Sequence, residues 1–138
     1  MPDKALVHRL DHIVLTVSNI EDTMRFYELT LGMEREVFHS EGGQTRYALR
    51  FGNQKINLHD RNTLTPTKAH RPTVGCGDYC LITNLPLEEI IAHLKEKRVP
   101  IEAGPVPRQG ALGELRSIYF RDPDGNLVEI AEYVESKR

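Results

Sequence analysis

Apolar and polar positions alternate along several stretches of the chain and recur every three to four residues along two others, and the order of these patterns repeats. From Leu10 to Val17, His12, Val14 and Thr16 alternate with Ile13, Leu15 and Val17, which predicts a strand with one face buried. Ser18 followed by Glu21 reads as a capping box. Ile20, Met24, Tyr27 and Leu31 then fall on one side of a helix that Gly32 should end. Glu34 to His39 is a short strand and Gly42-Gly43 a turn; Thr45 to Phe51 and Lys55 to Asp60 make a hairpin turning at Gly52-Asn53. Arg61 to Gly75, with two prolines, four threonines and no periodicity, is a linker.

The pattern then restarts. Asp78 to Thr83 predicts a strand, and Pro86 opens a helix with Leu87, Ile90, Ile91 and Leu94 inward that Val99-Pro100 stops. Ile101 to Gly104 is a strand and Pro105 to Gly113 a loop. Leu115 to Phe120 pairs with Asn126 to Ala131 through a turn carrying Pro123 and Gly125. Strand, helix and three strands thus occur twice, at a spacing of roughly seventy residues. The predicted fold class is α+β: two βαβββ modules in tandem, about 8–60 and 76–134 with linker 61–75, forming a curved mixed sheet around a cleft within one domain, 1–138.

Four polar residues interrupt this pattern. Leu127, Glu129 and Ala131 share a strand face, so Glu129 sits among apolar neighbours, and a carboxylate buried there alone would cost several kcal/mol. Overlaying the halves sets His12 on Asp78 and His59 on Glu129, at the first and last strands of both modules. If the modules pair by a pseudo-twofold, two imidazoles and two carboxylates converge. Such a set suits one divalent transition metal (Zn, Ni, Co, Fe or Mn) better than calcium or magnesium, which take more oxygens. The plainer alternative for each residue is a satisfied or solvated polar group. His8, His39, His70 and His93 read as surface residues.

Composition narrows the partners. A formal net charge of −2 offers no footprint for nucleic acid or an anionic membrane, which leaves a small molecule as the expected partner. No apolar stretch approaches a membrane span and the first nine residues lack a leader's apolar core, so the expected setting is soluble and cytoplasmic. Cys76 and Cys80 lack CxxC spacing and read as small buried hydrophobes in a reducing compartment.

The doubled element order, D-H-I-V-L-T-V before a helix ending in F-Y-x-x-x-L-G, the strand I-N-L-H, and Y-F-R-D-P-D-G-N-L-V-E-I together resemble the vicinal oxygen chelate superfamily. Within it the chain is similar to single-domain glyoxalase/bleomycin-resistance/dioxygenase proteins of the glyoxalase domain-containing protein 5 type. The resemblance implies a metal at the places of His12, His59, Asp78 and Glu129, with open positions for two adjacent substrate oxygens. That family commonly has His at Asp78's place, so the ligand set either includes Asp78 or reduces to His12, His59 and Glu129. It also implies a homodimer in which His12 and His59 of one chain face Asp78 and Glu129 of the other.

The expected activity is that of a glyoxalase I-like lyase or isomerase acting on a small carbonyl compound or its thiol adduct through a chelated enediolate, with Glu129 or a metal-bound hydroxide as the base. Arg50, Arg108 and Arg116 are candidates to hold an anionic end of the substrate. Two alternatives stand beside this: an extradiol dioxygenase for catechol-type diols, and a metal-free binding protein of the bleomycin-resistance kind.

Overall fold

The structure is a computed structural model that describes residues 5–135. Its elements are β1 (His12–Thr16), α1 (Ile20–Leu31), β2 (Glu34–His39), β3 (Thr45–Phe51), β4 (Gln54–His59), β5 (Asp78–Ile82), α2 (Leu87–Glu96), β6 (Ala103–Gly110), β7 (Gly113–Arg121) and β8 (Leu127–Tyr133). They form two four-stranded sheets with the same order, β1-β4-β3-β2 and β5-β8-β7-β6. In each sheet the first pair is parallel and the other two antiparallel, so the mixed α+β repeat read from the pattern is present. Residues 60–77, between the modules, contain no helix or strand.

One face of each sheet feeds a shared core. Leu15, Leu49, Ile56 and Leu58 from the first sheet pack with Met24 and Tyr27 of α1, while Ile118, Phe120, Val128 and Ile130 from the second pack with Leu87 and Leu94 of α2. Full burial of each large apolar side chain contributes roughly 1.5–3 kcal/mol. The other face of each sheet has no helix over it. There Val14 is 47% exposed and Ile82 50%, an unusual exposure for apolar residues in the middle or at the end of strands. Among the described residues, no helix is long and apolar enough to cross a membrane.

Asp122 ties the modules together. This side chain is 5% exposed and accepts hydrogen bonds from Tyr27 Oη of α1 at 2.8 Å and from the Asp124 N–H, Asn126 N–H and Asn126 Nδ2, each at 2.9 Å. Tyr27 also meets Tyr79 Oη of β5, and Ser18 bonds Asp124 in the same turn. Asn126 Oδ1 in turn accepts from the Gly77 N–H at 2.7 Å. Only glycine fits at position 77, because a Cβ there would lie 2.9 Å from Asn126 Oδ1 and 3.0 Å from Leu15 Cδ2.

Four expectations change. The cap of α1 is Asn19, whose side chain accepts from the Asp22 N–H, because Ser18 is engaged by Asp124 across the module junction. The loop expected over Pro105 to Gly113 is most of β6, which runs Ala103–Gly110 and turns tightly into β7; Pro105 and Pro107 are tolerated because β6 is an edge strand. Cys76 and Cys80 are exposed in the single chain, since Cys80 lies on the helix-free face. The overlay of the halves also shifts: β1 and β4 set Val14 beside Asn57, β5 and β8 set Cys80 beside Glu129, so Asn57 is the equivalent of Glu129 and His59 the equivalent of Ala131. The two hairpins also reverse differently, over Asp122–Asn126 in the second module and over Gly52-Asn53 in the first.

Candidate functional site

The candidate residues lie on the two helix-free faces. On the first sheet, register places Thr16, His59, Arg46 and Phe38 across one row, Val14, Asn57, Ala48 and Glu36 across the next, and His12, Lys55, Arg50 and Glu34 across the third. His12 and His59 are therefore four residues apart along β4, about 13 Å at strand spacing. The His12 Nδ1 is bound to Asp11 at 2.8 Å, which turns Nε2 away from that contact. His59 is half-buried; burial first, then the neighbouring Arg46 guanidinium, push its imidazole below the ordinary 6.5, against a smaller opposing pull from Asp60. A lowered imidazole is neutral at pH 7 and presents a lone pair.

On the second sheet Asp78 lies across from Leu127 and Arg121, and Glu129 across from Cys80 and Tyr119. Arg108 stacks over the Tyr119 ring and donates from Nε to its hydroxyl at 2.8 Å. Glu129 thus faces a thiol and a phenol, and the phenol is held by a guanidinium. Burial, with Glu129 adding, pushes the Cys80 thiol up to about 11. At pH 8 its alkylation is expected to run roughly a hundredfold slower than at an unperturbed thiol, rising about tenfold per pH unit, because only the thiolate reacts. Glu129→Gln should speed it, as read by peptide mass spectrometry; a rate already flat between pH 8 and 10 would contradict this.

The structure does not bring all the expected residues together. Among the described residues, no three His, Cys, Asp or Glu side chains of one chain converge on a metal. His12 and His59 sit on one sheet face, Asp78 and Glu129 on the other. Of the three arginines, Arg116 lies on the helix side of its sheet, bound to Glu132 at 3.0 Å and to Glu88 of α2, which leaves it unsuited to hold substrate. Arg50 is paired with Glu36 at 3.0 Å, and Arg108 is bonded to Tyr119, the residue across from Glu129.

Two residues that the sequence pattern passed over belong to the site. Arg46 and Asn57 flank His59, and both line a cavity of about 170 Å³ with Phe38, Ser40 and Tyr47. A larger cleft of about 460 Å³ opens on the other side of His59, under Thr65, Lys68 and Pro72 of the linker. Asn57 was legible in principle, as the polar residue between Ile56 and Leu58 in I-N-L-H.

Comparison with known proteins agrees with this architecture. The chain is 49% identical over 129 residues to Virulence protein STM3117 of Salmonella typhimurium, covering 94% of this chain and 87% of that one. It is 41% identical over 131 residues to Glyoxalase domain-containing protein RDO1 of Mycosarcoma maydis, covering 95% of this chain and 72% of that protein. A solved structure from the mobile metagenome of V. Pseudocholerae superposes with a TM-score of 0.88 at 44% identity, covering 96% of this chain and 99% of that one. Residues 9–130 match the sequence profile of one family, nearly the whole of both modules, and the chain belongs to the Glyoxalase/Bleomycin resistance protein/Dioxygenase superfamily.

Proposed function

We propose that the protein is a metal-dependent lyase or isomerase of the glyoxalase type, working as a homodimer on a small carbonyl compound or its thiol adduct. The observation that carries this reading is the equivalence of two uncovered half-sites. His12 and Asn57 on one sheet hold the same register positions as Asp78 and Glu129 on the other, and each lies on a face with exposed apolar residues and no helix over it. A second copy placing its second sheet over the first sheet of its partner covers both faces and completes two identical clefts, as closed twofold symmetry requires. The unpaired cysteines fit a reducing cytoplasm.

Within one chain these residues do not fit a metal; across two chains the donor set does. His12 of one chain with Asp78 and Glu129 of the other would hold a divalent transition ion (Zn, Ni, Co, Fe or Mn), while His59, about 13 Å along the strand, faces the substrate instead. A bound ion supplies Lewis-acid polarisation of two neighbouring substrate oxygens. The protein's own part is proton movement. Glu129 takes the proton from the carbon bearing the hydroxyl and returns it to the adjacent carbonyl carbon, while the hydroxyl proton passes to the former carbonyl oxygen, so a hydroxycarbonyl adduct becomes its 2-hydroxyacyl isomer with no net gain or loss of atoms. Arg108 holds Tyr119, the residue across from that carboxylate.

Elemental analysis of the purified protein tests the reading. About one equivalent of transition metal per chain is expected, lost in His12→Ala and in Glu129→Ala. Glu129→Gln is expected to lower turnover by roughly a hundredfold or more, the usual scale for removing a general base. Metal retained in both alanine variants would move the ion elsewhere, and full turnover in Glu129→Gln would remove the base.

A further inference from the structure

The linker carries charge of one sign. Residues 61–77 include Arg61, Lys68, His70 and Arg71 and contain no aspartate or glutamate. This strap crosses the end of the first sheet's open face. Lys68 and Pro72 line both the cleft of about 460 Å³ and a second cavity of about 200 Å³, and so do Thr16 and His59. Thr16 and His59 are register partners on β1 and β4, so they stand side by side as a floor to the cationic strap. Asp60 is the only acidic residue lining either cavity, against Arg61, Lys68 and Arg71, and its Oδ1 already accepts from the Asn62 N–H at 2.9 Å and from the Thr63 hydroxyl.

The floor presents donors. A guanidinium can only donate, so Arg46 Nη1, 3.5 Å from His59 Nε2, makes that nitrogen the acceptor of the ring. With the imidazole neutral at pH 7, its proton then sits on Nδ1. His59 Nδ1 and Thr16 Oγ1 make no hydrogen bond among the described residues, and neither atom is enclosed by its surroundings, so both are open to a ligand.

We infer that this cleft is a binding site for a phosphate monoester, its free oxygens taken by the Thr16 hydroxyl and the His59 Nδ1–H from the floor and by Lys68 and Arg61 from the strap. Two cations match the dianion, and three free oxygens have lone pairs enough for four donors, whereas a carboxylate brings a single charge and two oxygens. The volume falls in the usual range of small-molecule sites, roughly 300–1,000 Å³, and Val17, Pro72 and Val74 give it an apolar wall. Such a site narrows the substrate class of the proposed function, on which it rests only for the choice of this face, to a carbonyl compound or thiol adduct that bears a phosphate. Thr16 and His59 lie about 13 Å along the strands from His12, so a substrate reaching both ends carries its phosphate on a tail, away from the reacting carbons.

Titration of chelator-treated, dialysed, ¹⁵N-labelled protein with methyl phosphate and with acetate, followed by NMR, tests this. Methyl phosphate should saturate, moving the His59 ring signals and the Thr16 and Lys68 amides, and should bind at least about tenfold more tightly than acetate. Lys68→Gln and Thr16→Val should each weaken it about tenfold or more, the scale of one hydrogen bond to a charged group. Lys68 is exposed and Thr16→Val keeps the shape of the side chain, and the backbone spectrum of each variant reports its fold in the same experiment. Wild-type affinity for methyl phosphate in either variant, or acetate bound as tightly as methyl phosphate, would overturn the site. Because no metal is present in the titration, loss of the metal and base assignments would leave its outcome unchanged, and absence of phosphate binding would leave the elemental analysis unchanged.

Discussion

Asp122→Ala should lower the stability of the folded chain by about 3–5 kcal/mol, the scale of breaking a buried charged network by removing one partner. The size follows from what the carboxylate holds. It accepts from Tyr27 Oη and from three donors of its own turn, and each hydrogen bond to a charged group is worth roughly 1.5–3 kcal/mol, though not additively. Removal leaves Tyr27 Oη and Asn126 Nδ2 buried without that acceptor, and loosens the Asn126 side chain that receives the Gly77 N–H. The damage should reach both modules, since Tyr27 belongs to α1 and Gly77 to the entry of β5. Urea denaturation checks it: a midpoint shift with unchanged slope is expected. A change under about 1 kcal/mol would mean that water replaces the carboxylate at no cost.

Mixing two variants that are each unable to bind metal should restore binding. If each site takes His12 from one chain and Asp78 and Glu129 from the other, a heterodimer of His12→Ala with Glu129→Ala has one doubly broken site and one intact site. Random reassociation of equal amounts makes half the dimers mixed, so metal content should return to about a quarter of the wild-type value. The pair Asp78→Ala and Glu129→Ala, drawn from the same half-site, should recover nothing. Elemental analysis after co-refolding reads both. Recovery in neither mixture would place the whole site within one chain, and recovery in both would detach it from these residues.

Much of this was legible in the pattern of side chains. Period-two alternation in Leu10 to Val17 and the spacing of Met24, Tyr27 and Leu31 located β1 and α1, because burial of one face leaves that mark directly on the sequence. The edge strand β6 was placed too early, at Ile101 to Gly104, because AGPVPRQG buries almost nothing; its extent comes from pairing with β7, which is not written in its own residues. The overlay of His59 on Glu129 failed for a related reason. Strand register depends on how many residues the preceding turn consumes, and Asp122 holds Asn126 within the turn through its side chain, which no local count of apolar positions reveals. Arg46 escaped notice because an arginine on a strand is unremarkable until pairing of the strands sets it against His59.

The segment R-D-P-D-G-N bears on what it means to recognise this architecture from a sequence. Its most buried members spend their hydrogen bonds on one another, on Tyr27 and on Gly77, and Arg121 on Glu102 and the Gly125 carbonyl. Apart from those of Arg121, which shares an open face with Asp78, none of those bonds touches the faces where ligands would sit. A search that finds this string in another genome therefore finds the clasp that joins two half-barrels, and can be trusted to report how that chain is assembled. On the proposed reading the chemistry lies outside the clasp, at Glu129 three residues beyond it and at the counterpart position Asn57, where a substitution would change the activity while the clasp stays the same.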